Sequence, residues 1–197
     1  MLSDKESIDT IRRAVSPEAE SEQQGRRTSA SRTRRGCATS SPIESCEEPM
    51  PYIIQNVQGP APLSVGERIW GDATEIDFGA MTSCIALVEQ TPGKPTSVRA
   101  IHLSIVSADG TLVYDPASNV AGQVGAIMQP TGNLRACLGR IEVWQAEEPQ
   151  QLRDFFAGLM QSLDMTTWVP LSDGNLRVRF NGGVIQYRQG TGAWIDV

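Results

Sequence analysis

Residues 83–106 read SCIALVEQTPGKPTSVRAIHLSIV, two runs of aliphatic and β-branched side chains joined by a Pro/Gly turn. Apolar runs bounded in this way are the strongest hairpin signal in the chain. Apolar side chains occupy successive positions in both runs, so both faces of the hairpin are apolar. A strand pair of that kind is stable only when another layer covers it on each side, which excludes a sheet with one face in water.

The rest of the chain must supply those covering layers. In ASNVAGQVGAIMQ, Val120, Ala121, Val124, Ile127 and Met128 recur at helical spacing behind Ser118 or Asn119 as N-cap. In EEPQQLRDFFAGLMQSL, Leu152, Phe155, Phe156, Leu159 and Leu163 make a broad apolar helix face. YIIQNV, ERIW and RACLGRIEVWQ read as strands, GPAPLSVG as a loop, and SADGTLVY as an Asp-Gly turn leading into a short strand. The C-terminal NLRVRFNGGVIQYRQGTGAWIDV is a meander, with turns at Asn181-Gly182-Gly183 and Gly190-Thr191-Gly192. The expected fold is α/β: a layered, strand-rich sandwich in which two main helices pack on a largely antiparallel sheet.

Residues 1–48 obey different rules, and the expected division is a tail over 1–48 and a domain over 49–197. Residues 15–48 contain no aromatic side chain and only Val15 and Ile43 as large aliphatics. Such a stretch buries too little apolar area to offset the entropy of ordering it, so a disordered Ser/Arg-rich tail is expected. Ile8, Ile11 and Val15 carry a weak helical period within it. Arg26, Arg27, Arg32, Arg34 and Arg35 fall in GRRTSASRTRRG. The segment reads as a solvated linker, as a contact for a membrane surface or an acidic partner, or as a phosphorylation substrate.

The net charge of −6 gives no general attraction to nucleic acid, so no nucleic-acid partner is expected. No run of about 20 apolar residues is present, and MLSDKESIDTIRRAV lacks the basic-then-apolar pattern of a secretory signal. Synthesis in the cytoplasm is the expectation. Cys37, Cys46, Cys84 and Cys137 form no CxxC unit, and with a single histidine a zinc cluster is poorly supplied. Reduced thiols are expected, with no metal and no organic cofactor. Four tryptophans, Trp70, Trp144, Trp168 and Trp194, fall in or at the ends of the expected strands, and Arg177 and Arg179 share one face of a strand.

That single histidine, His102, lies in the second run of the hairpin, and Cys84 opens the first. Facing residues in an antiparallel hairpin share a constant index sum. For this pair the sum is 186, centred on Gly93 in the TPGKP turn. The expectation is therefore that Cys84 and His102 are cross-strand neighbours on one face, with Cβ atoms about 4.5–5.5 Å apart. A one-residue slip would send the histidine to the opposite face. An imidazole there can take the thiol proton, and a thiolate attacks carbonyl carbon, so acyl transfer is the reaction class allowed. The competing reading is structural: free cysteine is among the most buried residues, and a lone histidine in an apolar strand is often a hydrogen-bonded core residue.

MTSCIALVE, with the histidine of VRAIHLS eighteen positions after its cysteine, resembles the LGSC and GGMAHFMLP segments of the bacterial chemoreceptor glutamine deamidases (CheD). The catalytic domain of cytotoxic necrotizing factor and related toxins carries similar strands. The order helix, L-x-A-K-x-x-G strand, helix and closing meander is also similar, here VAGQVGAIM, residues 134–139 (LRACLG), the helix around DFFAGLM, and VRFNGGVIQYRQGTGAWIDV, over roughly residues 72–197. The departures are specific. Thr82 stands for the family glycine before Ser-Cys, and Arg99 and Ala100 stand for paired glycines before the histidine. Phe78 stands for a threonine that helps orient the histidine, leaving Thr74, Asp77 or a backbone carbonyl to do so.

What the resemblance implies is a cysteine-dependent protein glutamine deamidase with Cys84 as nucleophile and His102 as base. Ser83 would donate from its amide or hydroxyl into an oxyanion site. The partner would be a protein carrying an exposed glutamine. The tail resembles the leader of a secreted bacterial effector acting on a host protein. Two other functions stand beside this one: a chemotaxis-receptor deamidase, and a noncatalytic interaction module that uses the basic tail or a sheet edge.

Overall fold

The computed structural model describes residues 51–128 and 134–197. The tail expected over 1–48, its arginine cluster, the helical period over 4–15, Cys37 and Cys46 lie outside the described residues. Within them the fold is the expected strand-rich α/β sandwich, built from two sheets and a helical layer.

Eleven strands are formed among the described residues: β1 (Gln55–Asn56), β2 (Leu63–Ser64), β3 (Ile69–Ala73), β4 (Glu75–Met81), β5 (Ile85–Gln90), β6 (Val98–Leu103), β7 (Arg135–Gly139), β8 (Trp168–Pro170), β9 (Gly174–Asn181), β10 (Val184–Gln189) and β11 (Ile195–Asp196). The helices are α1 (Val120–Ile127), the single turn α2 (Ile141–Trp144) and α3 (Gln150–Ser162). The larger sheet has the order β1-β3-β6-β5-β7-β8 and the smaller β11-β10-β9-β4-β2. Pairing is antiparallel except at the edges, where β1 with β3, β7 with β8, and β2 with β4 run parallel.

The hairpin β5–β6 lies at the centre of the larger sheet and is covered on both sides. Ile85, Leu87, Ile101 and Leu103 point to the helices and pack with Val124, Trp144, Leu152, Phe156 and Leu159. Ala86, Val88, Val98 and Ala100 point to the other sheet and meet Ile76, Phe78, Leu176 and Val178. Cys137, on β7, is fully buried in the helix-facing core.

Several expected elements change. RACLGRIEVWQ does not continue as a strand: the chain turns at Gly139, with φ at 127°, and residues 141–144 form α2, so Trp144 is helical. A side chain at 139 is doubly excluded, because a Cβ would also sit 2.6 Å from the Cys84 carbonyl oxygen. GPAPLSVG, expected as a loop, contains β2. YIIQNV yields only the two-residue β1, and the strand expected after the Asp-Gly turn is reduced to a bridge between Val106 and Leu112. Asn119 precedes α1 in the left-handed region without a side-chain cap bond; the Ser118 hydroxyl instead accepts from the Tyr52 amide.

One charge enters the helix-facing core. Glu89 is fully buried, with Arg135 at 3.0 Å and Arg99 at 3.6 Å. The same guanidinium groups reach the last carbonyls of the helices: Arg99 donates to Ile127, and Arg135 to Met128 and Leu163. These are among the carbonyls that a helix end leaves unsatisfied, so Glu89 holds two arginines that cap α1 and α3. Glu89→Gln removes the charge that compensates the arginines, and we expect a loss of about 3 kcal/mol. Urea denaturation should show a lower midpoint with an unchanged slope.

Candidate active site

The site forms where the chain crosses between the sheets. Residues 65–68 lead from β2 in the smaller sheet to β3 in the larger, and residues 82–84 lead from β4 to β5. Glu67, in the first crossing, meets Cys84, in the second: the thiol donates to Glu67 Oε1 at 3.6 Å.

Cys84 and His102 are indeed carried by the adjacent antiparallel strand segments, but the register differs from expectation. Ala86, not Cys84, faces His102, so the index sum is 188 and the hairpin is centred on Lys94. The loop spans residues 91–97, closed by Thr91 N to Ser97 O at 2.9 Å. The TPGKPT turn is thus longer at its C-terminal side than a turn centred on Gly93. Because the error is two in the sum, parity is kept: Cys84, Ala86 and His102 share the face toward the smaller sheet.

His102 is 2% exposed, and its Nδ1 lies 3.0 Å from the Val65 carbonyl oxygen. A carbonyl only accepts, so Nδ1 carries the proton and Nε2 holds the lone pair. Nε2 is buried and has no hydrogen-bond partner. Burial lowers the pKa of the imidazole, opposed by the Val65 carbonyl and the charge of Glu67, so the ring is neutral near pH 7. The Phe78 ring meets the imidazole edge-on at 5.5 Å and 87°. Where the resembling family has an orienting threonine, this chain has an apolar wall.

Neither side chain named as a substitute for that threonine reaches the histidine. Thr74 is exposed beyond Ala73 at the far end of β3, whereas His102 pairs with Ile69 at the near end. At about 3.3 Å per residue the separation along the strand is roughly 16 Å. β4 does carry a bulge, at Phe78, but Asp77 faces outward; its carboxylate accepts from Gly79 N at 2.9 Å and pairs with Arg177 at 2.7 Å. Arg177 also pairs with Glu75, and Arg179 stacks on Trp194, so this arginine face is already engaged within the chain. The backbone carbonyl of Val65 is the group that orients the ring.

Ser83 lies beside the sulfur, and its amide and hydroxyl both favour the thiolate. They are outweighed. Burial first, then the Glu67 carboxylate, push the Cys84 thiol up to about 12. The resting pair is therefore a neutral thiol and a neutral imidazole, not a thiolate–imidazolium ion pair.

Three successive carbonyls hold the Cys84 segment to α2 and the residue before it. Thr82 O accepts from Arg140 NH1 at 3.4 Å, Ser83 O from Trp144 Nε1 at 2.8 Å, and Cys84 O from Arg140 N at 3.0 Å. Arg140 is itself paired with Glu142 and Asp173. Sequence reasoning missed Glu67 and the Arg140–Trp144 support because no residue spacing marks contacts between separate crossovers. The only available signal was Gly139, at the point where the chain leaves the sheet.

Two clefts lie elsewhere. One, of about 570 Å³, is lined by Asp109, Thr111, Tyr114, Asp115, Gln151 and Phe155, and another, of about 320 Å³, includes Trp70, Asp72 and Lys94. Neither includes Cys84 or His102, which are both buried. Among the described residues, no group of three or more His, Cys, Asp or Glu side chains is placed to hold a metal ion, and no helix is long and apolar enough to cross a membrane. No protein-family model matches the chain, and no curated protein matches it.

A difference titration tests the protonation state. The thiolate absorbance of the folded chain minus that of Cys84→Ser should stay near zero up to about pH 10, because the thiol is raised well above its ordinary range. A thiolate signal at neutral pH would mean that the imidazole already holds the proton.

Proposed function

We propose that this chain is a cysteine-dependent amidohydrolase that converts a glutamine side chain of a protein to glutamate. The observation that carries the reading is the oriented histidine: Val65 O fixes the Nδ1–H tautomer and leaves a buried, unpartnered Nε2 on the face that also holds Cys84. A base in this state needs only a proton to accept, and the resting thiol has one to give.

In the proposed reaction Cys84 Sγ attacks the amide carbon as His102 Nε2 takes the thiol proton. The C–N bond then breaks, the imidazolium returns that proton to nitrogen, and ammonia leaves a thioester. Water, deprotonated by the same nitrogen, attacks the thioester, and the proton passes to sulfur as the carboxyl product departs. Ser83 lies beside the reacting sulfur, and the Phe78 ring packs edge-on against the imidazole. A host protein acted on by a secreted effector is the preferred substrate class, on the strength of the resemblance and the composition of residues 1–48.

A second reading, a noncatalytic interaction module, is supported by the burial of both residues, each 2% exposed. Under it Cys84 would label with iodoacetamide only on unfolding. The deciding experiment incubates the full chain with a eukaryotic cell lysate and reads glutamine-to-glutamate conversion by peptide mass spectrometry. We expect one glutamine to gain about one mass unit as NH₂ becomes OH, with ammonia released in step. Cys84→Ser should reduce the rate about a thousandfold or more, and His102→Ala by about 10²–10⁴. The two losses should not add, since each removes the same attacking species. Conversion undiminished in Cys84→Ser would overturn the mechanism.

A further inference from the structure

The thiol of Cys84 is covered by a side chain that belongs to the surface. Glu67 is exposed at the tip of the turn between β2 and β3, yet its Oε1 bends back to the sulfur. A thiol is a weak donor, and an exposed carboxylate is well solvated, so little holds this contact closed. The backbone beneath it is fixed by other means. Val65 N donates to Asp77 O at 2.9 Å, Arg68 N to His102 O at 2.8 Å, and Gln55 N to Arg68 O at 2.8 Å. The Glu67 side chain can therefore swing out while the Val65 carbonyl keeps its hold on the imidazole.

A second observation concerns charge. Arg68 is adjacent in sequence, but its guanidinium lies over the Tyr52 ring, 5.9 Å from the centroid. Among the described residues no cation forms an ion pair with Glu67. The carboxylate at the entrance to the nucleophile is an acceptor without a cationic partner, and its charge opposes the negative charge that must develop on sulfur.

Resting on the proposed nucleophilic role of Cys84, we propose that Glu67 is the gate and charge selector of the site, giving way to substrates that bring a cationic group, such as a lysine or arginine side chain, beside the reacting amide. Pairing with that cation draws the carboxylate off the sulfur and cancels its repulsion in the same movement. Substrates with an acidic neighbour leave the gate shut. Glu67 acts through Cys84 and is a specificity and positioning residue, not a catalytic one.

The test uses the full chain and three methanethiosulfonate reagents bearing a trimethylammonium, a neutral methyl or a sulfonate group, with modification at Cys84 followed by peptide mass spectrometry. In the wild type the cationic reagent should react faster than the anionic one by on the order of tenfold, beyond the ratio measured on the unfolded chain. Glu67→Gln should bring that ratio near unity and speed the neutral reagent several-fold, and Glu67→Lys should invert the preference. Equal ratios in wild type and Glu67→Gln would overturn the proposal, as would a folded wild-type chain that resists all three reagents. Deamidation is read separately. Charge selection by Glu67 without any glutamine conversion would remove the proposed activity and leave the gate standing; conversion without charge selection would do the reverse.

Discussion

The central hairpin has no face that can meet water, and the rest of the structure follows from that constraint. Every residue of β5 except the last is buried. One side needs helices, which α1, α2 and α3 provide, and the other needs a second sheet. A chain that builds two stacked sheets must cross between them, and each crossing leaves strand pairing behind and exposes polar backbone that needs new partners. At the crossings around Glu67 and Ser83 those partners include side chains: Val65 O accepts a hydrogen bond from the imidazole, and the carbonyls of 82–84 are held by Arg140 and Trp144.

Two buried polar groups are compensated differently in this molecule. Glu89, in the helix-facing core, is compensated by arginines that in turn satisfy helix ends. Such a network ties two helix ends to the sheet, while burial outweighs the arginines in raising the Glu89 pKa and leaves its Oε1 without a hydrogen-bond partner. His102, in the core between the sheets, has only one of its two nitrogens satisfied. An unmet buried nitrogen is unfavourable in the resting protein, and it is the arrangement a general base requires before its proton arrives.

The electrostatics of the cysteine keep it a neutral thiol. Burial and Glu67 keep the sulfur protonated, while Ser83 favours the thiolate. A site so balanced holds a neutral thiol in the free protein. Burial, to which the packed Phe78 ring contributes, likewise lowers the imidazole's affinity for a proton.

The sequence by itself determined the layers and the face. Apolar side chains at successive positions of residues 83–106 demand two covers, the periods around Val124 and Phe156 place helices, and the Asn181-Gly182-Gly183 turn sets the β9–β10 pairing, with Gly182 and Gly183 at φ of 63° and 88°. The shared face of Cys84 and His102 was legible because side chains alternate with a period of two, and an error of two in the index sum leaves it unchanged. Only the tertiary structure decided the orienting group, which is Val65 O and not Thr74 or Asp77, and the partner of the thiol, which is Glu67. A backbone carbonyl carries no residue signature, and the meeting of residues 67 and 84 depends on how two inter-sheet crossings stack, a distance set by packing and not by any local period.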